Sequence, residues 1–385
     1  MLSLGAAIRD EWLLDPSQLT VNHGAYGATP KTVLEAQDRW RRKLEEQPSY
    51  FMRRILPDAL RAGAENLADF LGADGKDLVF VDNATVGCNA ILRSLWLKPD
   101  DEILLLNHSY GAVRNTARYV AELAGAKVVE AEVPFPRPTV EAIVANVAAS
   151  ITPKTRIAII DHITSPNALL LPPKRLIDAC HSRGVPVLVD GAHGPAHVAI
   201  DLSLLDADWY VGNCHKWLMA PKGAGFLWAR PDRQEGLHPV TISHGYGKGY
   251  LAEFDWTGTR DPSAFLAVED AIRFHHRLGG ANLRARNMAL AREAGEVLAR
   301  RLNMDIGADA PVASAMAVVR LPISGEASRE RAQALRLELL DEFRTDAPLH
   351  ALDGSIWVRV SAQAYNEIDD YHALGDILAK FAQGI

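Results

Sequence analysis

Between residues 77 and 215 the chain alternates short apolar runs with longer segments whose apolar positions recur every three to four residues. The runs DLVFVDN (77–83), EILLLNH (102–108), KVVEAEV (127–133), RIAIIDHI (156–163), VPVLVDGAH (185–193) and DWYVGNCH (208–215) are short and rich in β-branched residues. They predict six buried strands. Helical periodicity fills the gaps at 86–97, 111–124, 140–150 and 173–183, and 223–229 reads as one further, antiparallel strand. Strand and helix alternating at this spacing predict βαβ units and a mostly parallel, doubly wound sheet, an α/β fold.

Beyond Pro262 the pattern changes. Long amphipathic helices are expected at 263–278 and 282–302, then the strand AMAVVRLP, a helix over 328–343, the strand IWVRVS and a closing helix over 367–381. This is the signature of a smaller α+β companion. The expected division is a large domain over 15–260 and a small domain built from 1–14 and 261–385. The length of 385 residues agrees, being too great for a single ordinary core.

Composition narrows the class without changing the fold. Apolar residues make up 48% and charged residues 23%, as in a soluble globular protein. The net charge of −7 is mild and the basic residues are scattered, so nucleic acid is not an expected partner. Cys88, Cys180 and Cys214 are too few and too dispersed for a disulfide framework or a zinc site, which fits a reducing cytoplasm and no metal. The N-terminus lacks a basic segment followed by a long apolar run, and no stretch approaches the ~18 apolar residues of a membrane helix. A soluble, cytoplasmic protein is expected.

In an open α/β sheet ligands bind beyond the carboxyl ends of the strands. Five successive ends carry reactive side chains: Asn83, Ala84 and Thr85; His108 and Tyr110; Ser165 and Asn167; Asp190 and His193; His215 and Lys216. Asp190 ends the apolar run of LVDGAH. It is either a turn or capping acid or a carboxylate held ionised by a buried cation such as a protonated pyridine nitrogen. Lys216, 26 residues later in "GNCHKWLMAPKGAGFLWAR", lies between two buried-looking strands. A desolvated lysine becomes an amine nucleophile that forms Schiff bases with carbonyls. Together the two residues match the two ends of pyridoxal 5′-phosphate. The strand-to-helix turn DNATVGCNAIL offers backbone N–H groups of Ala84 and Thr85 to the phosphate.

The residues HKW and PKGAGF around Lys216, DGAH around Asp190 and VRVSAQAYNEIDD near the C-terminus resemble the class V aminotransferases, which are fold-type I pyridoxal-phosphate enzymes. The stretches VNHGAYGATP, DHITSPNALLLP and WTGTRDPSAF narrow the resemblance to the isopenicillin N epimerase-like branch, which also holds cysteine desulfhydrase-type and sulfoxide C–S lyases. The resemblance implies a large domain with a mostly parallel sheet and a smaller C-terminal α+β domain. It also implies that Lys216 is the Schiff-base lysine and that Asp190 is the partner of the ring nitrogen. By the same resemblance His193 meets the ring oxygen, and His108 or Tyr110 stacks on the ring. Thr85 and His215 hold the phosphate, with Thr259 reaching across from a second subunit of a homodimer whose sites are shared. Arg359 in VRVS clamps the substrate carboxylate, a role that suits a planar guanidinium. Ser165 is a further expected cofactor contact, and His23, Tyr26 and Asn167 are expected near an amino-acid substrate.

The expected reaction is α-proton abstraction of the epimerase type, with C–S lysis as the alternative. Transamination and a non-catalytic binding role rank lower, and the latter would be expected to have lost Lys216 or Asp190. Sulfur transfer to a protein thiol is set aside, because EFRTDAPLHALDGSIWVRVS holds no cysteine before the arginine.

Overall fold

The computed structural model describes residues 3–384. All seven expected strands of the large sheet form: β1 (Leu78–Val81), β2 (Glu102–Leu106), β3 (Lys127–Ala131), β4 (Thr155–Asp161), β5 (Val187–Gly191), β6 (Trp209–Asn213) and β7 (Gly225–Ala229). They lie in the order β1-β7-β6-β5-β4-β2-β3. Only β7 runs against the others, pairing antiparallel with both β1 and β6. Residues alternate between two apolar layers, as a sheet covered on both sides requires. Leu104, Ile160, Val189 and Phe226 face one layer, while Leu105, Ile159, Leu188 and Leu227 face the other.

Strands β1 to β6 each stop two residues short of the expected end, where the chain leaves the ladder for the loops, while β7 ends at Ala229 as expected. The helix expected from 86 instead spans Ala84–Arg93, since the Asn83 side chain accepts from the Val86 N–H (3.0 Å) and starts it two residues earlier. The single helix expected at 263–278 is two, Ser263–Leu266 and Val268–Arg277, broken at Ala267. All four residues of the first piece are buried, so its periodicity could not show the bend. These helices pack on Lys31–Glu46 and Leu56–Leu71, with Phe265 stacked on Phe80 at 5.1 Å.

The C-terminal region carries a second sheet, β8 (Met316–Arg320), β9 (Leu349–Leu352) and β10 (Ser355–Ser361), in the antiparallel order β8-β10-β9. Helices Ala281–Leu302, Arg329–Phe343 and Ile368–Gln383 close its core around Leu298, Val319, Val358 and Leu374. The N-terminal segment is tied to this region through the Ala6 N–H to Glu367 (2.6 Å) and Arg9 to Asp370 (3.2 Å). Among the described residues no helix is long and apolar enough to cross a membrane.

Candidate active site

The adjacent carboxyl ends of β4, β5 and β6 open into a cavity of about 550 Å³. Thr85, Tyr110, Ser165, Asp190, His193, His215 and Lys216 line it together with Ala84 and Tyr26. Five strand-end loops separated by more than 130 residues of sequence therefore meet in one place.

Lys216 sits just past β6, on the loop that turns back into β7. Gly225 opens that return: a Cβ there would lie 2.8 Å from the Asn83 Cα and from the Gly212 carbonyl oxygen, so only glycine fits. Gly223, by contrast, has open space around it and is needed for its backbone angle, φ +86°. Burial, reinforced by the nearby positive charge of Arg359, pulls Lys216 down to about 8, against the opposing pull of Asp190. His193 Nε2 lies 3.1 Å from Lys216 Nζ, and the Trp217 indole N–H donates to His193 Nδ1 at 3.2 Å. An indole nitrogen only donates, so His193 Nδ1 accepts. Burial holds His193 neutral, its basicity pushed well below the ordinary range. The remaining proton is then on Nε2, directed at the lone pair of an uncharged Lys216 amine. Burial and this network favour the nucleophilic form of the lysine over that of an exposed one.

Asp190 is buried, with one carboxylate oxygen accepting from the Ala192 N–H at 3.0 Å. Burial raises its affinity for a proton, and among the described residues it has no ion-pair partner. Arg359, on β10, is also buried. Its guanidinium donates to the Ser165 carbonyl (2.5 Å) and hydroxyl (3.2 Å) and to the Asn22 side chain (3.4 Å), while Nε has no partner. Among the described residues no carboxylate lies within ion-pair distance of it. Burial and the charge of Arg336 lower it to about 10. His215 donates from Nδ1 to the Ala224 carbonyl (3.1 Å) and is lowered to about 4 by burial, so its other nitrogen is free of a proton.

Several expected contacts lie elsewhere. His23 is buried beneath the lysine loop, bonded through Nε2 to the Lys216 carbonyl (3.0 Å) and through Nδ1 to the Tyr365 hydroxyl (2.9 Å). It positions the loop and does not face the cavity. His108 turns away to the Val133 carbonyl (3.0 Å) and packs edge-on against Phe135, leaving Tyr110 as the ring at the end of β2. Asn167 is wholly buried, its oxygen taken by the Thr164 hydroxyl (2.5 Å). The Ala84 N–H is spent on the Asn213 side chain (2.8 Å), so it is no anion donor. Thr259 is exposed and outside the cavity, although its neighbour Arg260 pairs with Asp82, which lines it. Four side chains of the site are not singled out in the sequence: Asp161, Asn213, Asp82 and Asn22. Asp161 ends the apolar run RIAIID as Asp190 ends VPVLVD, and that parallel was the available signal.

Comparison with known proteins agrees with this architecture. The class-V aminotransferase family model matches residues 27–338. A putative L-cysteine desulfhydrase of Oryza sativa subsp. japonica is 33% identical over 94% of this chain and 82% of its own. The isopenicillin N epimerase of Streptomyces clavuligerus is 32% identical over 96% of both chains. A solved structure of a C-DES variant, with glycine covalently linked to its PLP cofactor, superposes with a TM-score of 0.82. It is 21% identical and matches 97% of this chain and 98% of that one, which speaks to the fold. From the spacing of the strand ends to the loop that carries Lys216, this chain belongs to the class-V aminotransferase family.

Proposed function

We propose that the protein is a pyridoxal-phosphate-dependent enzyme that removes the α-proton of an amino acid or amino-acid-containing small molecule. One observation carries the reading: the buried acid Asp190, with no ion-pair partner among the described residues, shares a cavity with a lysine that burial brings down to about 8. The cofactor has a complement for each. Its ring nitrogen supplies the missing cation, its aldehyde the partner for the amine. A buried, unpaired carboxylate is costly, which makes such a complement a physical requirement.

The remaining residues fit the same molecule. Thr85, at the N-terminus of the helix Ala84–Arg93, and His215 form the phosphate end. His215 can donate from its free nitrogen only as an imidazolium, so a phosphate dianion there would raise it from about 4. Tyr110 covers one ring face and His193 the ring oxygen. Arg359, a buried cation without a carboxylate, binds the α-carboxylate of the substrate, with Ser165 and Asn22 fixing its plane. Tyr26 borders the substrate space. When bound, the cofactor supplies the electron sink for the pair left on the α-carbon. Lys216 Nζ takes the proton, and His193 and His23 keep that amine neutral and in place.

The isopenicillin N epimerase-type reaction also needs an acid opposite Lys216. With His23 and His108 outside the cavity, the phenols of Tyr110 and Tyr26 are the groups placed for it. C–S lysis needs no such acid, and that economy, together with relatives named L-cysteine desulfhydrase, supports it as the second reading. One experiment separates them: candidate amino acids are added to purified protein, and α-proton exchange into deuterated water, pyruvate and sulfide or sulfenate are followed together. Exchange without pyruvate identifies the epimerase, and pyruvate the lyase. Protein that takes up no pyridoxal phosphate would end both readings.

The working unit in this proposal is a cytoplasmic homodimer, in which Thr259 completes the phosphate site of a second copy. Lys216→Ala and Thr259→Ala chains, each poorly active, should recover partial activity when refolded together. No recovery despite proven hybrids would remove Thr259 from the site.

A further inference from the structure

Two carboxyl groups, not one, lie at the floor of the cavity. Asp161 and Asp190 are register partners on the parallel strands β4 and β5, so their side chains leave the sheet on the same face as immediate neighbours. Both are buried, 3% and 5% exposed, and both line the cavity. Ser109 fixes the first of them: its hydroxyl donates to Asp161 Oδ2 at 2.7 Å, and its oxygen accepts from the Leu106 N–H at 3.2 Å. Among the described residues neither carboxyl group is in an ion pair. The reaction read for this site gives Asp161 no role.

Resting on the pyridoxal-phosphate reading, we propose that Asp161 is a positioning residue, the neutral member of a carboxyl pair that shares one proton, so that Asp190 alone presents charge to the ring nitrogen. Two like charges side by side in a buried site cannot both ionise at modest cost. A cationic ring nitrogen balances one negative charge. A second anion beside Asp190 would remain uncompensated in the interior, and a proton on Asp161 removes it.

The surroundings set the direction. Burial first, and then the charge of Asp190, push Asp161 up to about 8, against the Ser109 hydroxyl and the Tyr110 backbone N–H that favour the anion. The other titratable groups facing the pair are Lys216, which favours ionised Asp190, and the Cys88 thiol and Tyr210 phenol, both driven up by burial and by these acids. A raised carboxyl pKa stabilises the fold fully below the unfolded value near 4 and loses that contribution as pH rises to about 8. The buried histidines, lowered to about 3 or 4, add a slope of opposite sign around their unfolded value of 6.5, a background shared by the native chain and any variant of the pair. Lys216, lowered to about 8, adds to the same background from about 7 upward. Between pH 6.5 and 8 the difference in slope between the native chain and a variant of Asp161 therefore isolates the carboxyl pair.

The test is denaturant unfolding of the full chain, with and without pyridoxal phosphate, from pH 6.5 to 8. Without the cofactor, the folding equilibrium constant of the native sequence should fall relative to that of Asp161→Asn by up to about tenfold per pH unit, one proton's worth. Asp161→Asn keeps the shape and stays neutral, so it lacks that component of the slope. Asp190→Asn should shrink the same component in part, because it removes the neighbouring charge and leaves the burial, and it tests the pair even if the first variant folds poorly. A constant offset with an unchanged slope would make Asp161 a structural hydrogen-bond acceptor and overturn the proposal. With cofactor added, Asp161→Asn should bind pyridoxal phosphate within about threefold of the native affinity at pH 7. Loss of binding in that variant alone would overturn the proposal by making the Asp161 anion the required form. Failure of the native chain to bind would instead strike the cofactor reading, leaving the slope to decide the pair.

Discussion

Asp208, immediately before β6, and Asp190, near the end of β5, are both buried against the same parallel strands, yet their surroundings are opposite. Asp208 has every oxygen engaged. Arg230 (2.9 Å) and Arg233 (2.7 Å) donate to one, and His181 (2.8 Å) and the Val187 N–H (2.7 Å) to the other. Asp190 has one backbone N–H and a carboxyl neighbour. A buried charge that its own chain fully satisfies is there to hold the fold. One left wanting is there for something the chain does not contain. The sheet thus has a finished end, where strands begin, and an unfinished end, where they stop.

Substitutions should separate the two ends. The largest effect is expected for Asp190→Asn, which slows α-proton exchange on the order of ten-thousandfold, about 5.5 kcal/mol of barrier, in protein that is still folded. Native-rate exchange in that variant would reduce Asp190 to a turn acid like Asp208. Asp208→Ala should do the reverse. Stranding two arginines and a histidine costs about 3 kcal/mol of stability, read by denaturant midpoint, with activity per folded molecule retained. A catalytic loss larger than the folding loss would contradict the finished-end reading.

Arg359→Lys is a milder break in the unfinished end. It keeps the charge but loses the planar fork, and KM for the amino acid should rise by about tenfold to a hundredfold, roughly 2 kcal/mol, with cofactor affinity unchanged. The smallest effect is a pH dependence. Covalent capture of pyridoxal phosphate requires the neutral Lys216 amine, so its rate should rise about tenfold per pH unit and level off above about 8. A plateau only near 10 would mean that the lysine is not desolvated.

This contrast also explains what the sequence did and did not disclose. Strands such as ILLL and IAII advertise burial directly, and the acids that end two of them are visible as interruptions of an apolar run. The partners of those acids are not visible. His181 and Arg230 reach Asp208 from 27 residues before and 22 after, and no local pattern links them. His23 and His108 have the right chemistry at the right loops, but a rotation of one side chain toward Tyr365 or Val133 takes each out of the cavity. Which way a loop side chain turns is decided by packing between distant segments, and a one-dimensional pattern does not carry it. The helix cap at Asn83 was legible as a type of residue, but its effect on where the helix starts was not.

The hydrogen-bond chain Tyr365–His23–Lys216 joins the last fifth of the polypeptide to the lysine through a residue near its start. During synthesis the lysine emerges about 150 residues before Tyr365, a gap of roughly 7–30 s at ordinary translation rates. Through that interval the loop lacks its fastening, and the nascent chain holds a reactive amine that is not yet fixed in position. Cofactor capture is therefore expected to be a post-translational event. Ribosome-bound chains arrested near residue 350 should fail to take up pyridoxal phosphate that full-length released chains bind, and uptake by the arrested chains would show that the lysine loop sets without its distant clasp.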